Sequence, residues 1–158
     1  MAGEVVVRPR VAADMNACVA LLAEVHGLGH YPTNWPRDPV AWLSRPARAA
    51  WVAVLDGQIV GHAMVTQRGA EPAELARLFV KPSLYRSGIG AALAAAATGW
   101  ADDRGLPMVL SVNAKSERAW SAYERWGWQR VSTRPAEWTT AAGEPVLLHY
   151  YERVAIAK

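Results

Sequence analysis

The sequence predicts an α/β fold of mixed sheet type, with about seven strands and four helices in one domain over residues 1–158. Three observations predict it. Short β-branched runs alternate with stretches of helical apolar spacing, in the order strand, two helices, three strands, helix, strand, helix, two strands. An Asp56-Gly57 pair between two apolar runs marks a tight hairpin. The stretch Leu78 to Leu93 reads as a strand, a turn carrying two glycines, and the opening of an alanine-rich helix.

Composition bounds the answer. The 158 residues are 52% hydrophobic and 20% charged, an ordinary globular balance with enough chain for one sizeable core. No apolar run reaches membrane-span length, and the first ten residues lack the apolar region of a signal peptide. Cys18 is the only cysteine, so no internal disulfide can form; a cytoplasmic protein with no membrane partner is expected. The net charge of +3 is spread without a Lys/Arg block, which argues against a nucleic-acid partner. Eight tryptophans are many for this length, and most should be core or pocket wall. The oligomeric state stays open, a homodimer included.

Each element has its own signal. Glu4 to Arg8 is a β-branched first strand. Asp14 lies near a helix start; Met15, Cys18, Leu22 and Val25 recur at helical spacing, and Gly27 ends the run. Cys18 falls on that apolar stripe and reads as packing. The turn-rich segment from His26 to Pro36 follows, and its His30, Tyr31, Asn34 and Trp35 read as one wall of a pocket. The glycines between His26 and His30 argue against the helix that a zinc pair would want, so no metal is expected. Asp38-Pro39 is an N-cap followed by proline at the first helical position, starting a short helix through Leu43. Ala50–Leu55 and Gln58–Thr66 flank the hairpin turn, and Glu74–Val80 is a further strand. The main helix runs from about Gly88 to Arg104, with Gly105 just past its end. Met108–Val112 is the next strand. Ser116 reads as the N-cap of a helix carrying Ala119, Trp120, Tyr123 and Trp126. Trp128–Thr133 and Val146–Val154 complete the set.

The glycine turn carries the chemistry. Glycines at a helix opening remove Cβ atoms that would hold a ligand off the backbone, and the first-turn amides with the macrodipole favour an anion such as a phosphate. A P-loop needs Gly-Lys-Ser/Thr, but Ala91 follows Gly90. A dinucleotide fingerprint needs a small third residue and an acidic residue closing a second strand; Leu93 stands at the third position and Asp102-Asp103 lies in the helix.

The remaining pattern, Val80-x-Pro82, a basic connector, then Gly88-x-Gly90 and a helix, resembles the cofactor motif of the GNAT superfamily of acetyl-CoA-dependent N-acetyltransferases. That motif reads Gln/Arg-x-x-Gly-x-Gly/Ala; here Tyr85 holds the first position and Arg86 follows one place late. A second block, Ser116-x-x-Ala119-x-x-x-Tyr123-x-x-x-Gly127-Trp128, resembles the family's Asn-x-x-Ala-x-x-x-Tyr-x-x-x-Gly-Phe. The order of elements resembles the family's over nearly the whole chain. The resemblance implies a central, mostly antiparallel twisted sheet, and transfer of an acetyl group from acetyl-CoA to the primary amine of a small molecule or peptide.

The resemblance also implies roles. The pyrophosphate of the carrier would sit on the backbone of Arg86, Ser87, Gly88, Ile89, Gly90 and Ala91, beside Tyr85. Its pantetheine arm would lie along Leu78, Phe79 and Val80, near Asn113 and Ser116, like an added strand. Tyr123 is the expected proton donor to the leaving thiolate; Glu74, from its own position at the start of the fourth strand, is the candidate base, acting through water. His30, Tyr31, Trp35 and His149 are expected on the acceptor side, with Trp138 and the last hairpin nearby. A non-catalytic acyl-CoA sensor on the same fold is the alternative; a nucleic-acid module is a weaker third.

Overall fold

The computed structural model describes residues 3–29, 31–44 and 47–155. Its strands are β1 (Val6–Pro9), β2 (Ala47–Leu55), β3 (Gln58–Thr66), β4 (Ala73–Val80), β5 (Met108–Asn113), β6 (Gln129–Thr139) and β7 (Pro145–Arg153). Its α-helices are α1 (Met15–Gly27), α2 (Pro39–Trp42), α3 (Ile89–Asp103) and α4 (Glu117–Arg125). The sheet runs β1-β2-β3-β4-β5-β7-β6. Every neighbouring pair is antiparallel except β4 and β5. This is the mostly antiparallel sheet with four flanking helices that the sequence predicts.

Local chemistry explains the boundaries. Asp56 and Gly57, at φ 51° and 77°, form the turn between β2 and β3. Asp38 caps α2 by accepting a hydrogen bond from the Ala41 amide at 3.1 Å, with Pro39 at the first helical position. Before α1, the Asp14 carboxylate accepts from the Val11 amide at 2.8 Å and from both terminal nitrogens of Arg8 at 2.7 and 2.9 Å. The Arg8 hydrogen bonds hold the Asp14 carboxyl at about 2, below the usual carboxylate range.

The sheet buries two faces. On one, α3 presents Leu93, Ala94, Ala97 and Ala101, small enough for close approach to the strands. Gly61 of β3 faces it; a Cβ there would meet the Leu93 side chain at 2.7 Å. Tyr123 of α4 joins this core with Trp128 and Tyr151. On the other face, Cys18, Leu21, Leu22 and Val25 of α1 pack with Leu43, Val52 and Phe79. Burial lifts the Cys18 thiol to about 11, so it is a packing group at neutral pH, as its place on the apolar stripe predicts.

Some boundaries differ from expectation. β6 continues to Thr139 instead of stopping at Thr133, because β7 pairs with it as far as Thr139↔Pro145 across an irregularity near Pro135. Most of β6 is exposed, so its sequence lacks the apolar alternation that marks a half-buried strand. β2 likewise starts at Ala47, held by pairing to Thr66. Ser116 occupies the N-cap position of α4, but its side chain makes no capping hydrogen bond.

Candidate functional site

The sheet opens between β4 and β5. They share only two paired positions, Ala73↔Met108 and Glu74↔Val109, whereas β5 and β7 pair over six. Beyond Glu74 the strands diverge, leaving this edge of β4 without a ladder partner among the described residues. A cleft of about 1600 Å³ occupies this fork. Leu78, Phe79, Val80, Asn113 and Ser116 line it, together with Glu74 and Tyr123.

One end of the cleft is the loop leading into α3. Arg86 and Gly88 have φ of 69° and 85°. The first helical bond runs from the Ala92 amide to the Gly88 carbonyl at 3.0 Å, so the amides of Ile89, Gly90 and Ala91 have no carbonyl in their own helix to bond. A Cβ at Gly88 would find open space, yet the positive φ favours glycine there. At Gly90 a Cβ would stand 3.5 Å from the Trp126 ring, at the cleft wall. Tyr85 and Gly90 line the cleft; the Ile89 side chain is buried in the core, and Ala91 faces a separate cavity of about 280 Å³. For Ile89 and Ala91, therefore, only the backbone is available to a ligand in the cleft.

Arg118 bears on the same end. Its guanidinium lies 3.6 Å from the Tyr85 ring centroid, a cation–π contact between α4 and the loop. Sequence reasoning missed it. The only available signal was a basic residue two positions into the second motif block, which no local rule pairs with Tyr85.

The other end is built from distant segments. Tyr31 stacks near Trp42 and Phe79, with ring centroids at 5.9 and 6.3 Å. Trp35 packs against His26 at 5.4 Å. Tyr31, Trp35, Trp42 and Trp138 all line the cleft. Asn34 donates to the Thr139 carbonyl at 2.8 Å, tying the loop after α1 to the end of β6. His30 lies outside the described residues.

Glu74 sits where the fork begins, and Thr66 Oγ1 donates to its carboxylate at 3.4 Å. Burial raises the Glu74 carboxyl above its ordinary value, against the lowering influence of Arg77. Tyr123 is 9% exposed. Its ring packs edge-on to Trp126 and Trp128 at 5.6 and 6.2 Å. Burial pushes its phenol well above the ordinary value, and Tyr31 adds to the effect. The phenol is thus neutral through the physiological range. Tyr31, whose own phenol is raised by burial, feels Glu74 as well, so these three groups share one region of the cleft.

His149 does not line the cleft. Its neighbours Leu147 and Leu148 both do, but the His149 ring is turned to Thr133 of β6 and Trp120 of α4. There its Nδ1 lies 2.6 Å from Thr133 Oγ1, and its ring meets Trp120 edge-on at 5.7 Å. Asn113 stands at the cleft with Oδ1 accepting from the Lys115 amide at 3.0 Å and Nδ2 donating to Thr33 at 3.3 Å.

The bulge in β4 is a second feature unread in the sequence. Pairing passes from Met64↔Ala76 to His62↔Phe79, so Arg77 and Leu78 together face one residue of β3. Arg77 takes φ 53°, its guanidinium lies 3.9 Å from the Trp42 ring centroid, and its Nε donates to the Trp42 carbonyl at 3.3 Å.

A profile of the acetyltransferase (GNAT) family matches residues 16–128. An uncharacterized N-acetyltransferase of Mycobacterium tuberculosis strain H37Rv is 36% identical over 120 residues, which is 75% of this chain and 77% of that one. A Mycobacterium bovis N-acetyltransferase, also uncharacterized, matches to the same degree. Among solved structures, the ribosomal-protein-S18-alanine N-acetyltransferase from Escherichia coli superposes with a TM-score of 0.80 at 20% identity, covering 98% of this chain and 97% of that one. An aminoglycoside 6'-N-acetyltransferase complexed with coenzyme A gives 0.75 at 17% identity, covering 97% and 98%. At these identities the structural likeness is one of fold.

Proposed function

The chain belongs to the GNAT acetyltransferase family and is an acyltransferase; from that footing we propose that it acts as one domain over residues 1–158, moving an acetyl group from acetyl-CoA to a primary amine while both are bound. The observation that carries the proposal is the fork beyond Glu74. It leaves a strand edge free beside three first-turn amides, in a cleft that also holds a neutral phenol and a carboxyl raised by burial.

The residues present suit the carrier. The amides of Ile89, Gly90 and Ala91, at an opening where Gly88 adds no Cβ, suit a pyrophosphate. The backbone of Leu78, Phe79 and Val80 suits a peptide-like arm, with Asn113 and Ser116 opposite. The Ser116 hydroxyl is not engaged in capping its helix, which leaves it available to the cleft. Arg118, held on Tyr85, brings a positive charge to the motif's first position, where the family has Gln or Arg. When bound, acetyl-CoA supplies the acyl group as a thioester.

The chain's own groups handle the protons. Glu74 takes a proton from the acceptor amine, directly or through water, as the nitrogen bonds to the acyl carbon. The carbon–sulfur bond breaks, and Tyr123 gives its proton to the departing thiolate. A free phenol titrates near 10 and a thiol near 8.5, so the proton is present on Tyr123 when needed. Backbone amides on the open edge of β4 stabilise charge developing on the acyl oxygen. The aromatic wall of Tyr31, Trp35, Trp42 and Trp138 receives the acceptor.

The test is a thiol-release assay with acetyl-CoA and a panel of small amines, peptides and aminoglycosides. Release that requires both substrates supports the reading. Tight acetyl-CoA binding with no turnover across the panel would replace it with a non-catalytic sensor.

A further inference from the structure

His62 lies in the middle of β3 with no solvent exposure. Both ring nitrogens are engaged. Arg10 Nη1 stands 2.8 Å from Nε2, and the Arg77 carbonyl oxygen stands 2.8 Å from Nδ1. A guanidinium can only donate and a carbonyl can only accept. The imidazole is therefore neutral, with its proton on Nδ1, and it passes one hydrogen bond through to the carbonyl. A second proton on Nε2 would point at the guanidinium; burial accordingly drops the imidazole to about 4. Arg10 is fixed in turn, since the same Nη1 donates to the Leu43 carbonyl at 2.7 Å.

The carbonyl that receives this bond belongs to the residue at the bulge. Arg77 has a positive φ, unusual for a side chain of its size, and it falls between the paired positions of β3 and β4. The extra residue of a bulge has no ladder partner of its own, and a buried carbonyl without one is costly. The His62 ring also stacks on Phe79, the first paired residue after the bulge, at 5.0 Å and 18°. One side chain thus satisfies the bulge and packs on the residue beyond it.

We propose that His62, oriented by Arg10, is a positioning residue that fixes the β4 bulge and so sets which backbone groups of Leu78 and Phe79 face the cleft. The inference rests on the acyltransferase reading for its kinetic consequence, though not for its structural one. If the bulge were lost, the register of the residues beyond it would slip by one, exchanging the faces of Leu78, Phe79 and Val80. The groups aimed at the acyl oxygen would then be displaced, while the amides at the start of α3 stayed where they are.

The experiment compares His62→Phe, His62→Asn and Arg10→Met with the wild type. An asparagine amide reaches the position of Nδ1 and can donate to the same carbonyl; phenylalanine keeps the ring packing and donates nothing. In thiol-release kinetics, His62→Phe should lower kcat by about a hundredfold, the size expected for a displacement near the reacting atoms, with the Kd for CoA changed less than about threefold. His62→Asn should recover most of the loss, and Arg10→Met should fall between. Crystal structures of the variants should show Arg77 keeping its positive φ in His62→Asn and leaving it in His62→Phe. Should His62→Phe fail to fold, the comparison of His62→Asn with Arg10→Met decides by the same two readouts. Equal activity in the Phe and Asn variants, or an unchanged bulge in both, would overturn the proposal. A wild type that binds no acetyl-CoA would instead sink the functional reading, and the crystal structures would still decide the role of His62.

Discussion

At one end of the cleft, consecutive residues from Tyr85 to Ala91 fold into a turn and the first amides of α3. At the other end, Tyr31, Trp35, Trp42, Glu74 and Trp138 arrive from four separate segments. The first end depends on backbone: a positive φ at Gly88 and helical amides awaiting a partner. The second depends on side chains that meet only after the sheet has formed. A family built this way can keep its carrier and change its acceptor. A backbone cradle tolerates varied side chains, whereas a wall of aromatic rings is remade by each substitution.

The two ends can be broken separately. The largest effect should come from a charge at the cradle. Gly88→Glu adds strain at φ 85° and an anion beside the proposed phosphate site, and should weaken acetyl-CoA binding by about a hundredfold or more, read by calorimetry. Next is Tyr123→Phe, which should lower kcat by about a hundredfold with acetyl-CoA affinity unchanged, in line with loss of a general acid. Unchanged turnover would remove Tyr123 from the mechanism.

Glu74→Gln is read through pH. Because burial raises the Glu74 carboxyl, the proposed base should be protonated and idle at low pH, and activity should rise through a value above the ordinary carboxylate range. The variant should lose that acidic limb and about tenfold or more in kcat/KM for the amine, as expected for loss of a general base. Trp35→Ala is smaller still: it should raise KM for the acceptor about tenfold and leave acetyl-CoA binding alone, as expected for one aromatic wall.

The smallest effect lies outside both ends. Asp14 is held near 2, below its unfolded value of about 3.9, so the pairing stabilises the fold above pH 4. That contribution is lost as pH falls from about 4 to about 2. Asp14→Asn should have a lower melting temperature at neutral pH and a shallower fall in acid.

What the sequence conveys divides along the same line. The glycine turn, the Asp56-Gly57 hairpin and the cap at Asp38 are local rules, and they are legible because neighbouring residues satisfy them. Tyr123 and Glu74 are reached by resemblance and by strand position, and both line the cleft. The Arg118–Tyr85 contact and the clamp of Arg10 and His62 on Arg77 join residues far apart in the chain, so no window of sequence contains them. Strand position alone does not place the His149 ring, which meets Thr133 of β6 and Trp120 of α4.

A calorimetric titration of acetyl-CoA into the wild-type protein and into Gly88→Glu bears most directly on the carrier-gripping cradle. One site of micromolar affinity in the wild type, absent from the variant, is the predicted result. No heat with the wild type, or equal affinity in both proteins, would contradict it.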